Sequence, residues 1–532
     1  MEVDEKADKD PNKIEEAGFE DTLVSMLQET IQEEEEKKEE AKTYQFQIHP
    51  EGIEDIKKDC KDNNFPLMEE YDFRLDDVNP SLDVELKPDT SVRNYQVESL
   101  SKMFESDRAK SGIIVLPCGA GKTLVGVMAA TTIKKRTMIL CTSGVAVDQW
   151  EAQFRKWTNL KSPVIKFKSG MKESMFSRDQ AGIVVTTYHM ISYSGRRAEE
   201  SAKMINLIES VDWGLMILDE VQVAPAEEFR KTLTRVKSHC KLGLTATLVR
   251  EDGKISDLSF LIGPKLYEAN WLSLQSQGYI AKCQCVEVWC PMTAEFYREY
   301  LTSRENKGLL YMANPNKMLA MQYLIDLHKR RGDKIIIFSD NLFLINQFSE
   351  ILRIPKIYGK TSARDRSDLL NLFKTSDEVN AIFVSKVADD SFDIPGANVV
   401  IQISSHYKSR KQEAQRLGRI LRPKENVHTG EFNAFFYTLL SKDTKEMEYA
   451  IQRQRFLVDQ GYAYKVVNNL PFMNDKTRRE KMALGRKKEQ IAFLERVLAN
   501  DDQEKPEEGP KDDFSSGDFT VNMNMGSHSF LQ

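Results

Sequence analysis

Short apolar runs alternate with longer amphipathic stretches from about residue 89 onward. Such alternation is typical of buried parallel strands joined by crossover helices. A first series of runs is expected to form strands at residues 112–116, 137–141, 182–186, 215–218 and 241–245. A second series is expected at residues 334–339, 356–358, 381–385, 399–403 and 434–439. The pattern therefore predicts an α/β protein with two tandem lobes, each built on a parallel sheet.

The segments outside these lobes differ in composition. Residues 1–42 hold 16 acidic and 6 basic residues, and residues 501–532 hold 8 and 2, which favours disordered acidic tails. Basic clusters followed by apolar residues at helical spacing precede the second tail. The expected domains are an acidic tail at 1–42, a small N-terminal module at 43–88, a first lobe at 89–270, a second lobe at 271–470, and a basic helix with a disordered tail at 471–532.

The charge of the chain body is compatible with a nucleic-acid partner. Residues 43–500 carry 67 basic and 58 acidic residues, a balance of +9. Such a balance permits phosphate binding without requiring it. The N-terminus lacks the basic and apolar regions of a secretory signal, and no apolar run approaches a membrane span. We therefore expect a cytosolic or nuclear protein without membrane contact.

Seven cysteines include no pair at C-x-x-C spacing, which suits free thiols in a reducing compartment. Cys283, Cys285 and Cys290 could suggest a metal site, but no second ligand pair is nearby. We expect these three to be strand residues.

A glycine-rich turn follows the first predicted strand. It has the sequence Pro117, Cys118, Gly119, Ala120, Gly121, Lys122 and Thr123, and a helix-forming stretch comes next. Backbone N–H groups at such a junction can bind phosphates, while Lys122 neutralises charge and the Thr123 hydroxyl can bind Mg²⁺. Leu116 stands where the strict phosphate-loop pattern has its first glycine. A nucleotide site is expected, and a turn that serves packing alone is the alternative.

Two adjacent carboxylates, Asp219 and Glu220, follow the apolar strand at 215–218. Open α/β sheets place their sites at the carboxyl ends of strands. We expect Asp219 to hold Mg²⁺ and Glu220 to orient or deprotonate the attacking water. The hydroxyls of Thr245 and Thr247, after the next strand, could hydrogen-bond these carboxylates. The alternative is a pair of surface acids.

The second lobe offers positive charge for a transition state. Residues 412–419 include Arg416 and Arg419, which are three apart and so share a helix face. We expect both to reach the γ-phosphate as arginine fingers. An arginine-rich helix surface is the alternative.

In this order the elements resemble superfamily 2 helicases, whose two RecA-like lobes close on ATP. The resemblance is closest to the XPB family. The similar strings are EYDFR at 70–74, LPCGAGK at 116–122, LGLTATLVRED at 242–252, GPKLYEANW at 263–271, QISSH at 402–406 and RQRFLVDQGY at 453–462. Gln222 stands where the D-E-x-H motif of the family has histidine, which concerns the coupling of nucleic-acid binding to hydrolysis.

The resemblance implies roles for further residues. Gln96, within Arg93-Asn94-Tyr95-Gln96, would read adenine, and Asp393 would couple the nucleotide to the nucleic-acid groove. The family's RED motif, associated with DNA opening, falls on Arg250, Glu251 and Asp252. Further residues expected to hold or couple to the DNA backbone are Thr142, Ser143, Thr187, Thr245, Thr247, Thr361 and Gln412.

The resemblance also implies a function. We expect a nuclear double-stranded DNA translocase and 3′ to 5′ helicase that uses ATP and Mg²⁺. It would act with other subunits of transcription factor TFIIH in promoter opening and nucleotide excision repair. The alternatives are an XPB-like paralogue devoted to repair, with a repair nuclease or accessory protein as partner, an RNA helicase of the D-E-x-H kind, and a non-catalytic ATP-binding scaffold.

Overall fold

A computed structural model of the chain divides into two units, with the boundary between Phe65 and Pro66. All elements given below lie in the second unit. The residues that the structure describes are 48, 52, 55–56, 59–60, 63, 65, 67–162, 164–169, 177, 180–221, 226–246, 255–303, 307–385, 397–404, 413, 416–422, 432–459, 461–468, 470–471 and 475–500.

The first sheet has seven strands, all parallel to their neighbours, in the order β5-β6-β4-β7-β8-β3-β9. Its register is set by pairs such as Ile114 with Leu244. Residues 112–115 and 137–141 are buried throughout, as expected for strands of a sheet covered on both faces. The strands are β3 (Gly112–Val115), β4 (Thr137–Cys141), β5 (Val164–Phe167), β6 (Ile183–Thr187), β7 (Trp213–Asp219), β8 (Ser238–Thr245) and β9 (Lys265–Glu268).

The second sheet repeats this design in the order β12-β13-β11-β14-β15-β10-β16, again with parallel neighbours. Pairs such as Ile337 with Ile401 set its register. Its strands are β10 (Cys283–Cys290), β11 (Ile335–Phe338), β12 (Lys356–Ile357), β13 (Ala381–Val384), β14 (Val399–Gln402), β15 (Ala434–Ser441) and β16 (Ala463–Val467). The predicted α/β fold with two tandem parallel-sheet lobes is confirmed.

Helices connect the strands and cover both sheets. In the first half they are α1 (Asn94–Met103), α2 (Lys122–Ile133), α3 (Gly144–Trp157), α4 (Tyr188–Ser192), α5 (Glu199–Ser210), α6 (Ala226–Arg235), α7 (Ile255–Ile262) and α8 (Trp271–Ser276). In the second half they are α9 (Ala294–Thr302), α10 (Lys307–Met312), α11 (Pro315–Lys329), α12 (Leu342–Leu352), α13 (Ala363–Thr375), α14 (Glu446–Asp459), α15 (Lys476–Glu480) and α16 (Lys487–Leu498). Each described helix is too short or too polar to cross a membrane.

The predicted strands lie within about three residues of observed ones, but some strands were not predicted. The edge strands β9 and β16 are mostly exposed and therefore lack a continuous apolar run. In β10, Gln284 and Glu287 interrupt the apolar residues, although the strand lies between β15 and β16. Its three cysteines are buried strand residues, as expected.

The residues before α1 are part of the first lobe's core. A short antiparallel pair joins β1 (Glu70–Tyr71) to β2 (Ala109–Lys110). Leu82 and Val84 are buried in the same apolar cluster as β4 and α2. The Nζ atom of Lys135 donates to the backbone carbonyls of Asp76 and Asn79. The segment therefore packs along the amino ends of the strands and leaves their carboxyl ends open.

The basic stretch near the C-terminus forms α15 and α16. In α16 the buried residues are Gln490, Phe493, Leu494 and Val497, while Ile491 and Leu498 remain exposed. The helix therefore packs on the second lobe through Phe493 and its neighbours, with its charged residues on the other side.

Candidate nucleotide site

The glycine-rich turn lies between β3 and α2, as expected. Gly119 and Gly121 have φ values of 82° and 84°, in the left-handed region that favours glycine. A Cβ atom on Gly121 would lie 2.5 Å from Nε2 of Gln96, so this position also lacks room for a side chain. The turn delivers the chain to Lys122, the first residue of α2. Backbone N–H groups at such a helix start form an anion-binding site.

Strand β7 brings Asp219 and Glu220 to the same edge of the sheet. The Nζ atom of Lys122 lies 2.9 Å from Oε1 of Glu220. The backbone of Glu220 is left-handed, with φ of 49°, which is strained for a residue with a side chain. The indole Nε1 of Trp150 donates to Oδ2 of Asp219 at 2.8 Å, and the Tyr188 hydroxyl donates to the backbone carbonyl of Asp219. Both carboxylates are therefore held beside the phosphate loop.

The closeness of Lys122, Asp219 and Glu220 at this edge of the sheet shifts pKa values. Burial, together with the neighbouring charge of Glu220, raises the pKa of Asp219 to about 6. Burial opposes the charged form of Lys122, but the carboxylate of Glu220 outweighs it and raises the pKa of the lysine. Lys122 is therefore a cation near neutral pH and pairs with Glu220.

The residues expected to bind a metal carry the type of donor atom that suits Mg²⁺. Asp219 and Thr123 offer a carboxylate and a hydroxyl, the oxygen donors that Mg²⁺ prefers. Within the described part of the chain no group of three or more His, Cys, Asp or Glu residues could hold a metal ion. A site of few protein ligands is usual for Mg²⁺, which keeps waters and takes phosphate oxygens as ligands.

A loop of the second lobe lies directly against the phosphate loop. A Cβ atom on Gly418 would lie 2.4 Å from Cβ of Cys118, and one on Gly119 would lie 3.3 Å from the backbone nitrogen of Arg422. Leu421 accepts a hydrogen bond from the backbone N–H of Ala281 at 2.9 Å. We call residues 416–422 the arginine loop. It forms the second wall of the site.

The three arginines of this loop differ in burial, since Arg416 is buried whereas Arg419 and Arg422 are partly exposed. Arg416 is fully buried, and its Nη2 pairs with Oδ1 of Asp340 at 2.5 Å within the second lobe. The charges of Arg419 and Arg422 act on the thiol of Cys118, whose pKa is nevertheless raised by burial. Residues 416–418 are helical and 419–420 form a turn, so Arg416 and Arg419 do not share one continuing helix face.

Arg422 is a site residue that sequence reasoning missed. Its backbone nitrogen and Cα lie against Gly119 of the phosphate loop. The signal was present in the sequence, because Arg422 continues the three-residue spacing of Arg416 and Arg419. A buried ion pair of 2.8 Å joins Glu413, three residues before the arginine loop, to Arg453 of α14.

The residues assigned to adenine reading lie beside the phosphate loop. Gln96 is buried, and its Nε2 donates to the backbone carbonyls of Ala120 and Gly121 at 3.1 and 3.4 Å. The hydroxyl of Tyr95 donates to the same Ala120 carbonyl at 2.6 Å. The start of α1 therefore contacts the backbone of the phosphate loop directly.

The residues assigned to DNA contacts are only partly within the described chain. The hydroxyls of Ser143 and Thr187 cap α3 and α4, and Thr142 is exposed beside them. Thr245 is buried, while the Thr361 hydroxyl accepts from the backbone N–H of Tyr358. Seven residues named above lie outside the described residues, and they are Gln222, Thr247, Arg250, Glu251, Asp252, Asp393 and Gln412.

Comparison with known proteins gives a consistent result for both halves. Residues 274–524 match the family model described as ERCC3/RAD25/XPB C-terminal helicase. Residues 89–250 match the model described as type III restriction enzyme, res subunit. A Dictyostelium discoideum protein named general transcription and DNA repair factor IIH helicase/translocase subunit XPB is 53% identical over 474 residues, which cover 88% of this chain and 58% of the relative.

The chain belongs to the XPB family. XPB2 of Arabidopsis thaliana is 52% identical, covering 93% of this chain and 65% of the relative. XPB of Drosophila melanogaster is 52% identical, covering 90% and 60%. The chain thus spans about three fifths of the length of these XPB relatives. The phosphate loop lies in one matched segment and the arginine loop in the other.

Proposed function

We propose that this chain is an ATP-driven translocase on double-stranded DNA with 3′ to 5′ helicase activity, of the XPB type. The observation that carries the proposal is the contact between the phosphate loop, with Gly119 and Cys118, and the arginine loop, with Gly418 and Arg422. ATP hydrolysis in such a site requires both walls, so nucleotide turnover would be tied to the movement of the two lobes.

The chain's own residues suit each task of phosphoryl transfer. The N–H groups at the start of α2 bind phosphate oxygens, and Lys122 exchanges Glu220 for the β- and γ-phosphates. Glu220, once released from Lys122, accepts a hydrogen bond from the attacking water and orients it. Asp219 and Thr123 would hold a Mg²⁺ ion, which would supply positive charge against the developing phosphate charge.

Arg419 and Arg422 are the arginines proposed to contact the γ-phosphate from the second lobe. The Arg422 backbone lies against Gly119, and Arg419 directly follows Gly418, which lies against Cys118. Arg416 is assigned a supporting role instead, because it is buried in its pair with Asp340. This changes the expectation from sequence, in which Arg416 and Arg419 acted together.

The proposed partners follow from the family. The relatives are named as subunits of general transcription and DNA repair factor IIH. We propose that this chain is nuclear and assembles with subunits of the same factor, for promoter opening and nucleotide excision repair. Purification of the tagged full chain from nuclei, followed by identification of bound proteins, tests the assembly; recovery without any such subunit would contradict it.

Phosphate release from ATP tests the motor itself. The full chain would be measured with duplex DNA, with RNA and without nucleic acid, beside Lys122→Ala. We expect duplex DNA to stimulate turnover and the substitution to lower it roughly 10²–10³-fold, the size typical of losing one transition-state contact. Lys161→Ala is the control, since its ion pair with Asp83 is largely exposed.

Two outcomes would contradict the proposal. Equal phosphate release by the wild-type protein and Lys122→Ala would place turnover elsewhere or make the chain a scaffold. Stimulation by RNA but not by duplex DNA would indicate an RNA helicase.

A further inference from the structure

The polypeptide between the two sheets contacts both lobes. We call residues 269–282 the connector. Trp271 packs against apolar clusters of both sheets, and its ring meets that of Tyr462 at a centroid distance of 5.2 Å. Ile280 is buried with the first sheet and the next residue, Ala281, with the second. The connector therefore changes from one core to the other between Ile280 and Ala281.

A cluster of polar and aromatic groups joins the connector to the phosphate loop. The Nη1 atom of Arg93 donates to the hydroxyl of Tyr95 at 3.0 Å and to the backbone carbonyl of Tyr279 at 3.3 Å. The Arg93 guanidinium carbon lies 5.2 Å from the Tyr279 ring centroid, and the rings of Tyr95 and Tyr279 are 5.3 Å apart. Tyr95 in turn donates to the carbonyl of Ala120.

Two residues after Tyr279, the connector contacts the arginine loop. The N–H of Ala281 donates to the carbonyl of Leu421, and Leu421 precedes the Arg422 backbone that lies against Gly119. A closed circuit results, from the phosphate loop through Tyr95, Arg93 and the connector to the arginine loop and back. Side chains with few alternative positions can transmit a small displacement around such a circuit.

We propose that Arg93 and Tyr279 form a positioning pair that couples the state of the phosphate loop to the connector, and through Ala281 to the arginine loop. This inference rests on the proposed ATPase activity. A shift of the Ala120–Gly121 peptide on nucleotide binding moves Tyr95 and Arg93. Arg93 then moves the Tyr279 peptide, two residues from the hydrogen bond that holds Leu421. Neither residue touches the reacting atoms in this role.

Tyr279→Ala tests the pair, because it removes the ring beneath Arg93 and keeps the backbone carbonyl. Basal and duplex-DNA-stimulated phosphate release would be measured with the full chain over a range of ATP concentrations. We expect DNA stimulation to fall about tenfold, as for loss of a partly desolvated cation–π contact. Basal turnover and the KM for ATP are expected to stay within about twofold, since binding and chemistry groups remain.

Two variants serve as matched controls. Tyr279→Phe keeps the ring and is expected to restore wild-type stimulation. Tyr193→Ala removes a second tyrosine whose ring centroid lies 5.2 Å from an arginine, Arg197, but whose ring otherwise contacts His189 and not the connector, so stimulation should be unchanged. The double variant Arg93→Lys with Tyr279→Ala should lose about as much DNA stimulation as the more affected single variant, because the effects of substituting coupled residues do not add.

The inference is overturned if Tyr279→Ala retains full DNA stimulation. It is equally overturned if basal and stimulated turnover fall in the same proportion with a lowered melting temperature, since that describes a role in folding alone. Absence of turnover in the wild-type protein would instead contradict the proposed function, and the positioning role would fall with it.

Discussion

The two lobes each place an ion pair just after a strand of the central sheet, but the pairs differ in access to solvent. In the first lobe, Lys122 and Glu220 retain 12% and 23% of their side-chain exposure. In the second, Arg416 and Asp340 retain 0% and 7%. Glu220 follows β7 and Asp340 follows β11. The carboxyl edges of the two sheets therefore hold one partly exposed pair and one buried pair.

Because of this difference, we expect the first pair to exchange a partner for a ligand and the second pair to stay intact. We expect a phosphate to replace Glu220 at Lys122, because both side chains of this pair keep some exposure to solvent. Breaking the buried pair would leave a charged group without its partner away from water, which is strongly unfavourable. Arg416 also lies over the Phe338 ring, with its guanidinium carbon 4.7 Å from the centroid. We therefore expect the first pair to take part in the chemistry and the second to support the arginine loop.

The largest expected effect concerns the arginine that was not predicted. Arg422→Ala should lower the DNA-stimulated kcat roughly 10³-fold, the lower end of what an arginine finger contributes. The melting temperature should stay close to that of the wild-type protein, because the Arg422 side chain is only partly buried. Turnover assays and thermal unfolding of the same samples check both statements. Normal turnover by Arg422→Ala would remove this residue from the site.

Arg416→Ala, in contrast, should mainly lower the stability of the protein. Loss of one partner of a buried ion pair costs about 3–5 kcal/mol of unfolding free energy, and denaturant titration of the second lobe's transition measures this loss. An Arg416→Ala protein of unchanged stability but greatly reduced turnover would contradict the comparison. It would favour instead the expectation from sequence, that Arg416 is an arginine finger.

A smaller effect is expected where the lobes touch. Gly418→Ala places a methyl group 2.4 Å from Cβ of Cys118, so the arginine loop must move away from the phosphate loop. We expect about a tenfold loss of kcat, as for a small misplacement of catalytic groups. Gly308→Ala is the matched control, since the nearest atom to its new Cβ is 3.9 Å away. Equal activity of the two variants would show that this contact is dispensable.

Much of the fold was predictable because buried parallel strands are continuous apolar runs. β4 was predicted with its observed bounds, and most other central strands within about two residues. β10 and β16 were not, because Gln284, Glu287 and Lys465 give them no clear period. Their positions depend on pairing with β15 and with each other, which is a tertiary property.

The candidate site was predictable wherever a local motif defines it. The phosphate loop and the acidic pair follow strands directly, so their meeting at one sheet edge could be expected. The division among the arginines could not, because it depends on Asp340, which lies 76 residues from Arg416. The three-residue spacing of the arginines is not helical throughout, since the helix ends at Gly418 and the chain turns before Arg422.

Equilibrium ATP binding and single-turnover hydrolysis by Glu220→Gln test the exchange of Lys122 most directly. The substitution removes the negative charge that holds Lys122 but keeps a side chain of similar size. We predict that Mg²⁺–ATP binds at least as tightly as to the wild-type protein, while hydrolysis falls roughly 10²–10³-fold. Loss of ATP binding, or hydrolysis at the wild-type rate, would contradict the claim that Glu220 yields Lys122 to the phosphates and then acts on water.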